Sequence, residues 1–215
     1  METIQPFFYY LLHIDQFLAN FAANYGTLTY ILLFVIIFCE TGLVITPFLP
    51  GDSLLFVAGS LAADSTSALN IQFLCVLLIL ASILGNKINY LIGRYIGLRL
   101  FSQDQSLLFN KKYLHRAHQF YEKHGGKTIL IARFVPILRT FGPFVAGIGT
   151  MSLVSFSLFN LLSAVLWVGT LLTAGYYFGS LPFIKTHFTI VIYSIIIISL
   201  LPPLVSYFHH RAKGC

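Results

Sequence analysis

The sequence is short of charge. Only 9% of its 215 residues are charged, 13 Lys+Arg against 7 Asp+Glu. A soluble globular domain carries about 25%, so a water-soluble globule of this size is excluded. Disorder is excluded as well. Disordered chains are poor in aromatics and β-branched residues, and this one holds 21 Phe and 12 Tyr among 57% hydrophobic residues. Cysteine is scarce: Cys39, Cys75 and Cys215 form no CxxC pair, and they read as small buried hydrophobes. The N-terminus lacks a basic n-region and opens on Glu2, so no cleavable leader is expected and the first span should serve as its own insertion signal. What is present is an apolar chain with mean hydropathy +0.83, long enough for roughly four to six membrane segments at about 20 residues per helical span. Its net charge of +6 points to the cytoplasmic membrane face and anionic headgroups, not to nucleic acid.

The chain reads as one all-α polytopic membrane domain over residues 1–215. Residues 5–24 place Phe7, Leu11, Ile14, Leu18 and Phe21 on one helical face, the pattern of an N-terminal amphipathic helix at the interface. Residues 28–62 read as a span plus a first re-entrant hairpin, broken at Pro47-Phe48-Leu49-Pro50-Gly51-Asp52. The apolar stretch from Ser53 to Ala62 reaches roughly 15 Å at about 1.5 Å per residue, half a bilayer. A span follows over 71–98, then a basic loop over 99–128 with six basic and two acidic residues. Residues 129–150 read as a second re-entrant hairpin, with a half-helix expected after Gly142-Pro143. Residues 153–178 and 188–207 are further spans. The basic loop and the basic C-terminus assign both termini to the cytoplasm. The count then closes on four full spans and two hairpins entering from opposite sides. The segments PFLPGDSLLFVAG (47–59) and PILRTFGPFVAG (136–147) resemble each other, as expected of an inverted repeat.

Four charges fall inside apolar segments: Glu40, Asp52, Arg133 and Arg139. Each costs about 2.5–3.5 kcal/mol at a helix centre even on a lenient scale, so four unpaired would cost ~10 kcal/mol. They must pair or line a wet cavity, and their signs cancel. Asp52 is also placed to cap the half-helix that follows it, and the arginines are long enough to snorkel to the surface. Arginine offers a planar fork that grips phosphate in two places, and half-helix N-termini add free N–H groups. A poorly solvated carboxyl takes a proton more readily. Arg133 and Arg139 are therefore the candidate phosphate ligands, and Glu40 and Asp52 the candidate proton carriers. Supporting residues are Pro50, Gly51, Ser53, Pro136 and Pro143 at the hairpins. On the span over 71–98 they are Asn86, Lys87, Tyr90 and Arg94, where Gly85, Gly93 and Gly97 form a small-residue face. That face also permits homo-oligomers. His115, His118 and His124 lack an acidic partner cluster, so neither metal nor cofactor is expected.

Glu40-Thr41-Gly42 with Pro47 to Leu55 and Ala58-Gly59 resembles the first hairpin of the DedA family, also known as SNARE-associated Golgi or VTT-domain proteins. Gly85-Asn86, Tyr90 and Gly93-Arg94 are similar to the helix that follows it. Arg133-Phe134-Val135-Pro136, Arg139-Thr140, Pro143 and Ala146-Gly147 are similar to the second hairpin. The match covers residues 28–180. The resemblance implies a polytopic protein with two opposed re-entrant hairpins. Bacterial members are linked to recycling of undecaprenyl phosphate and to proton-dependent physiology, and eukaryotic relatives scramble phospholipids. It also implies that the family's important acids and arginines correspond to Glu40, Asp52, Arg133 and Arg139. Asn86 departs from the pattern, since the family often has Gly-Asp there. Asn86 cannot titrate and Lys87 adds a positive charge, which removes any third proton carrier from this helix.

The resulting expectation is a proton-coupled lipid flippase of the bacterial cytoplasmic (inner) membrane, carrying undecaprenyl phosphate or a related anionic lipid, and not an enzyme. Three alternatives remain open on sequence. An intramembrane lipid-pyrophosphate phosphatase would use Ser53 as nucleophile. A proton-coupled ion or drug antiporter would have to accept two arginines that repel cations. A passive phospholipid scramblase would need no proton.

Overall fold

The structure is a computed structural model. It describes residues 14–43, 51–64, 67, 69–100, 125–179, 181 and 194. The break at 47–50, most of the basic loop with its three histidines, and the span over 188–207 (Ser194 apart) lie outside the described residues, as does the start of the amphipathic segment.

The described residues fold as helices: α1 (Ile14–Tyr25), α2 (Leu28–Gly42), α3 (Gly51–Ala62), α4 (Ile71–Leu100), α5 (Lys127–Ala132), α6 (Pro136–Ile148) and α7 (Leu153–Phe178). Two of them, over Ile71–Ile96 and Leu153–Phe178, are long and apolar enough to cross a membrane. Their outward faces are oily. On α4, Phe73, Val76, Leu80, Leu84, Ile88, Leu91 and Tyr95 are exposed at helical spacing, and on α7 Val154 is 82% exposed. Ser82, Asn86 and Asn89 on α4, and Asn160 and Ser163 on α7, are buried instead. Apolar outside and polar inside is the arrangement lipid demands.

Two elements differ from the sequence reading. The span expected to open the 28–62 segment is a helix that ends at Gly42, before the prolines, and its 15 residues reach only ~22 Å, short of the ~30 Å hydrocarbon core. The second hairpin does not break at Gly142-Pro143. Its break lies at 133–135, where Val135 is extended (φ −116°, ψ 113°) and Pro136 opens α6. Pro136 forces its predecessor out of the helical region and is itself pre-set for the first helical turn. Pro143 then sits inside α6 without ending it. The short helix α5 packs against α6, giving a helix–break–helix hairpin.

The chain forms two compact units whose boundaries fall within α2, α4 and α7. Unit 1 holds residues 1–36, 48–78 and 168–215; unit 2 holds 37–47 and 79–167. In unit 1, α1 packs on α3, and the Tyr30 hydroxyl accepts a bond from the Asn70 N–H (2.6 Å). The Gly59 face of α3 lies on the Leu172 carbonyl and the Tyr176 N–H, and Gly175 of α7 lies on the Phe56 carbonyl. Unit 2 repeats the contact. Gly147 of α6 lies on the Tyr90 carbonyl and the Arg94 N–H, and Gly93 of α4 lies on the Phe144 carbonyl. The matched Phe-Val-Ala-Gly segments thus make the same reciprocal glycine contact in each unit.

Unit 2 has its own core of Tyr90, Ile129, Ala146, Met151 and Phe156, flanked by Val145 and Phe159. Tyr90 stacks on Phe156 with ring centroids 4.3 Å apart. Its hydroxyl donates to the Met151 carbonyl and accepts from Arg94 Nη1 at 3.0 Å. Tyr90→Phe keeps the stacking and removes both bonds. It should lower stability by about 1–2 kcal/mol, measured as a lower thermal midpoint in detergent.

A buried two-arginine cluster

Among the described residues, the buried charged side chains are Glu40, Arg133 and Arg139, 3%, 2% and 4% exposed. All three belong to unit 2. The C-terminal turn of α2 supplies Glu40. Arg133 follows α5 at the break. Arg139 lies at the end of the first turn of α6, where its N–H makes the helix-opening bond to the Val135 carbonyl (2.8 Å). Neither arginine snorkels.

Arg139 Nη1 pairs with Glu40 Oε1 at 3.1 Å, and its Nε donates to the Arg133 carbonyl at 3.0 Å. The second arginine is held differently. Arg133 Nη1 donates to Asn160 Oδ1 (3.2 Å) and Ser163 Oγ (3.1 Å). Its Nε and Nη2 are buried and have no hydrogen-bond partner among the described residues. The Trp167 ring lies beside both guanidinium groups, 5.2 Å from Arg133 Cζ and 4.5 Å from Arg139 Cζ. Its face attracts cations. With one carboxyl and two guanidinium groups, the buried set carries one surplus positive charge.

A second layer of amides closes around α4. Asn86 Nδ2 donates to Asn160 Oδ1 at 2.9 Å, and Asn160 Nδ2 donates to the Ile83 carbonyl at 3.1 Å. Asn89 Nδ2 ties α4 to the carbonyls of Thr41 (3.2 Å) and Thr140 (2.7 Å). Gly85 lets α2 approach. A Cβ there would meet Thr41 Oγ1 and would lie 2.8 Å from the Phe38 carbonyl oxygen.

The sequence-predicted site residues divide accordingly. Glu40, Arg133, Arg139 and Asn86 are joined in one network. Tyr90 and Arg94 lie further along α4, Tyr90 in the core and Arg94 exposed, and Lys87 is exposed. Asp52 belongs to unit 1, half-buried in the first turn of α3. It therefore sits inside the helix, not at its cap, next to the positive end of the dipole. Gly51 and Ser53 are buried beside it, and Pro50 lies outside the described residues. Sequence reasoning missed Asn160 and Ser163 and gave Trp167 no role. The three stand at i, i+3 and i+7 on α7, one helical face, which an apolar span reading passes over. Among the described residues, no group of three or more metal-type side chains forms.

Two membrane-length helices with oily outer faces and a buried polar interior define a helical integral membrane protein. Residues 49–177 match the VTT domain. The chain is 51% identical over 211 residues to Protein DedA of Escherichia coli, covering 98% of this chain and 96% of that one. It is 43% identical over 174 residues to an uncharacterized membrane protein of Mycobacterium tuberculosis, covering 81% and 76%. Over 153 residues it is 39% identical to Inner membrane protein YqjA of Escherichia coli, covering 71% and 69%. The chain belongs to the DedA family of VTT-domain membrane proteins. No solved structure matches it.

Proposed function

We propose that this protein is a proton-coupled transporter of a lipid phosphate in the bacterial cytoplasmic membrane, with undecaprenyl phosphate as the leading substrate. The observation that carries the reading is the buried Arg133 guanidinium, whose Nε and Nη2 have no partner among the described residues, beside the Arg139–Glu40 pair. A buried cation with open donors is costly unless an anion visits it. In this reading the lipid tail stays in the bilayer and the headgroup passes through the polar interior. The two hairpins are re-entrant from opposite sides, and both termini are cytoplasmic by the basic-residue rule.

Glu40 supplies the coupling. Protonation removes the charge that holds Arg139 and raises the surplus positive charge of the cluster from one to two, which matches a phosphate monoester dianion. Loss of the proton restores the pair and expels the phosphate. Proton and phosphate therefore travel together. Asp52 serves as a second proton-carrying group in unit 1. The protein is a transporter in this reading, not a phosphatase, and its partners are lipid phosphates and protons.

The test is transfer of a labelled polyprenyl phosphate across liposomes holding the purified protein. Transfer should exceed that of empty liposomes and rise with an imposed proton gradient. Glu40→Gln keeps an acceptor for Arg139 but cannot titrate, so the gradient should no longer accelerate transfer. Transfer equal to empty liposomes, or a full gradient response in Glu40→Gln, refutes the reading.

A further inference from the structure

The bonds around Arg133 determine which edge of its guanidinium is open. Arginine can only donate, so the Asn160 atom facing it is the carbonyl oxygen Oδ1. That orientation turns Asn160 Nδ2 to the Ile83 carbonyl and obliges Asn86 to present its own Nδ2 to Asn160 Oδ1. Ser163 donates its hydroxyl proton to the Asn160 backbone carbonyl at 3.0 Å, which leaves an oxygen lone pair for Arg133. Every donor direction in this chain is thus set, and all of it converges on Nη1. The two groups left over, Nε and Nη2, are not an arbitrary pair. They form the side edge of the guanidinium, two parallel N–H groups spaced to take two oxygens of one phosphate or carboxylate.

We infer that Asn160 and Ser163 are positioning residues. By occupying Nη1 of Arg133 they present its Nε–Nη2 edge, and so make the site selective for anions that offer two oxygens to one edge. The inference rests on reading the cluster as a phosphate site, and it adds what selects the ligand. A spherical anion gains the charge of Arg133 but not the paired bonds. Asn86 acts one step further out, by supporting Asn160.

The chain carries its own probe. Trp167 is its single tryptophan, buried and within 5.2 Å of both guanidinium carbons. Its emission is followed in the purified full chain in non-ionic detergent during titration with geranyl monophosphate, inorganic phosphate or chloride. Both phosphates should shift the emission saturably and at much lower concentration than chloride. Asn160→Leu keeps the arginines and removes the amide acceptor of Nη1 together with the link to Asn86, so phosphate affinity should fall about 10-fold or more and the preference over chloride should collapse. Ser163→Ala removes one of the two Nη1 acceptors and should reduce the preference several-fold. A purely structural role would lower the melting midpoint but leave the preference of the folded protein intact.

Wild-type preference in Ser163→Ala, and in Asn160→Leu where it folds, overturns the inference while leaving the lipid reading in place. Absence of any preference for phosphate over chloride in the wild type overturns it too. Binding of inorganic phosphate without geranyl monophosphate supports the edge site and overturns the lipid reading instead.

Discussion

Replacing Arg139 by methionine should destabilise the protein by about 3–5 kcal/mol, because it removes one partner of a buried ion pair. The pair is 96% hidden on both sides, at 4% exposure each, so water replaces little of what is lost. Removing the guanidinium deprives the Glu40 carboxylate of its bond at 3.1 Å and the Arg133 carbonyl of its donor. The measurement is the thermal midpoint in detergent, with the Glu40→Met/Arg139→Met double variant beside it. Apolar replacement of both members of a buried pair is often close to neutral, so the double variant should recover most of the loss. If the proposed transport reading holds, it should nevertheless be inactive in lipid transfer. Recovery of stability without recovery of transport separates the structural part of the pair from its chemical part. A double variant as unstable as the single one would mean that the pair is not the source of the loss.

Gly59→Val and Gly147→Val should be comparably damaging, each by about 3 kcal/mol or more, at the upper end of overpacking effects. In both places the added atoms would strike a backbone carbonyl, of Leu172 in unit 1 and of Tyr90 in unit 2. A backbone carbonyl inside a helix cannot swing aside as a side-chain tip does. The helices must part, and the polar groups they bury lose their cover. Gly169→Ala on α7 is the control. Nothing lies within 4 Å of a Cβ at that position, so the change should be neutral or stabilise the helix by up to ~1 kcal/mol. Melting curves of the three variants check this. Equal losses for the two valine variants follow from the repeated contact, and a harmless Gly59→Val alongside a damaging Gly147→Val would break the equivalence of the two segments.

Much of this was legible before any coordinate. Charge scarcity places the chain in a membrane, and the apolar run over 153–178 coincides with α7. The repeated Phe-Val-Ala-Gly segments are visible as letters because a glycine that touches backbone admits no substitute of larger size. Glu40, Arg133 and Arg139 stand out because lipid makes every embedded charge expensive. What was not legible has a common cause. Asn160 and Ser163 are uncharged, cost little in an apolar run, and acquire meaning only when α7 is set against the break at 133–135. The position of that break was misjudged because two prolines, Pro136 and Pro143, compete for it. Only the first sits where the preceding residue can turn extended; the second arrives after a full turn of α6 has formed. Asp52 groups with Glu40 as an acid embedded in an apolar segment, and that pattern carries no information about which unit a residue joins.

The reciprocal glycine contacts also impose a timetable on biosynthesis. In unit 2, Gly93 waits about 50 residues for its partner on α6, and the unit is complete once Trp167 has been made. In unit 1, Gly59 waits about 110 residues, until Leu172 and Tyr176 are inserted. At ~5–20 residues per second, that is roughly 6–20 s during which the glycine face of α3 has no mate. The arginine-bearing half of the molecule therefore closes first. The other half waits for the last turns of α7 and for the residues after them, up to 215, so the helix that carries Asn160, Ser163 and Trp167 of the arginine cluster also brings α3 its glycine partner.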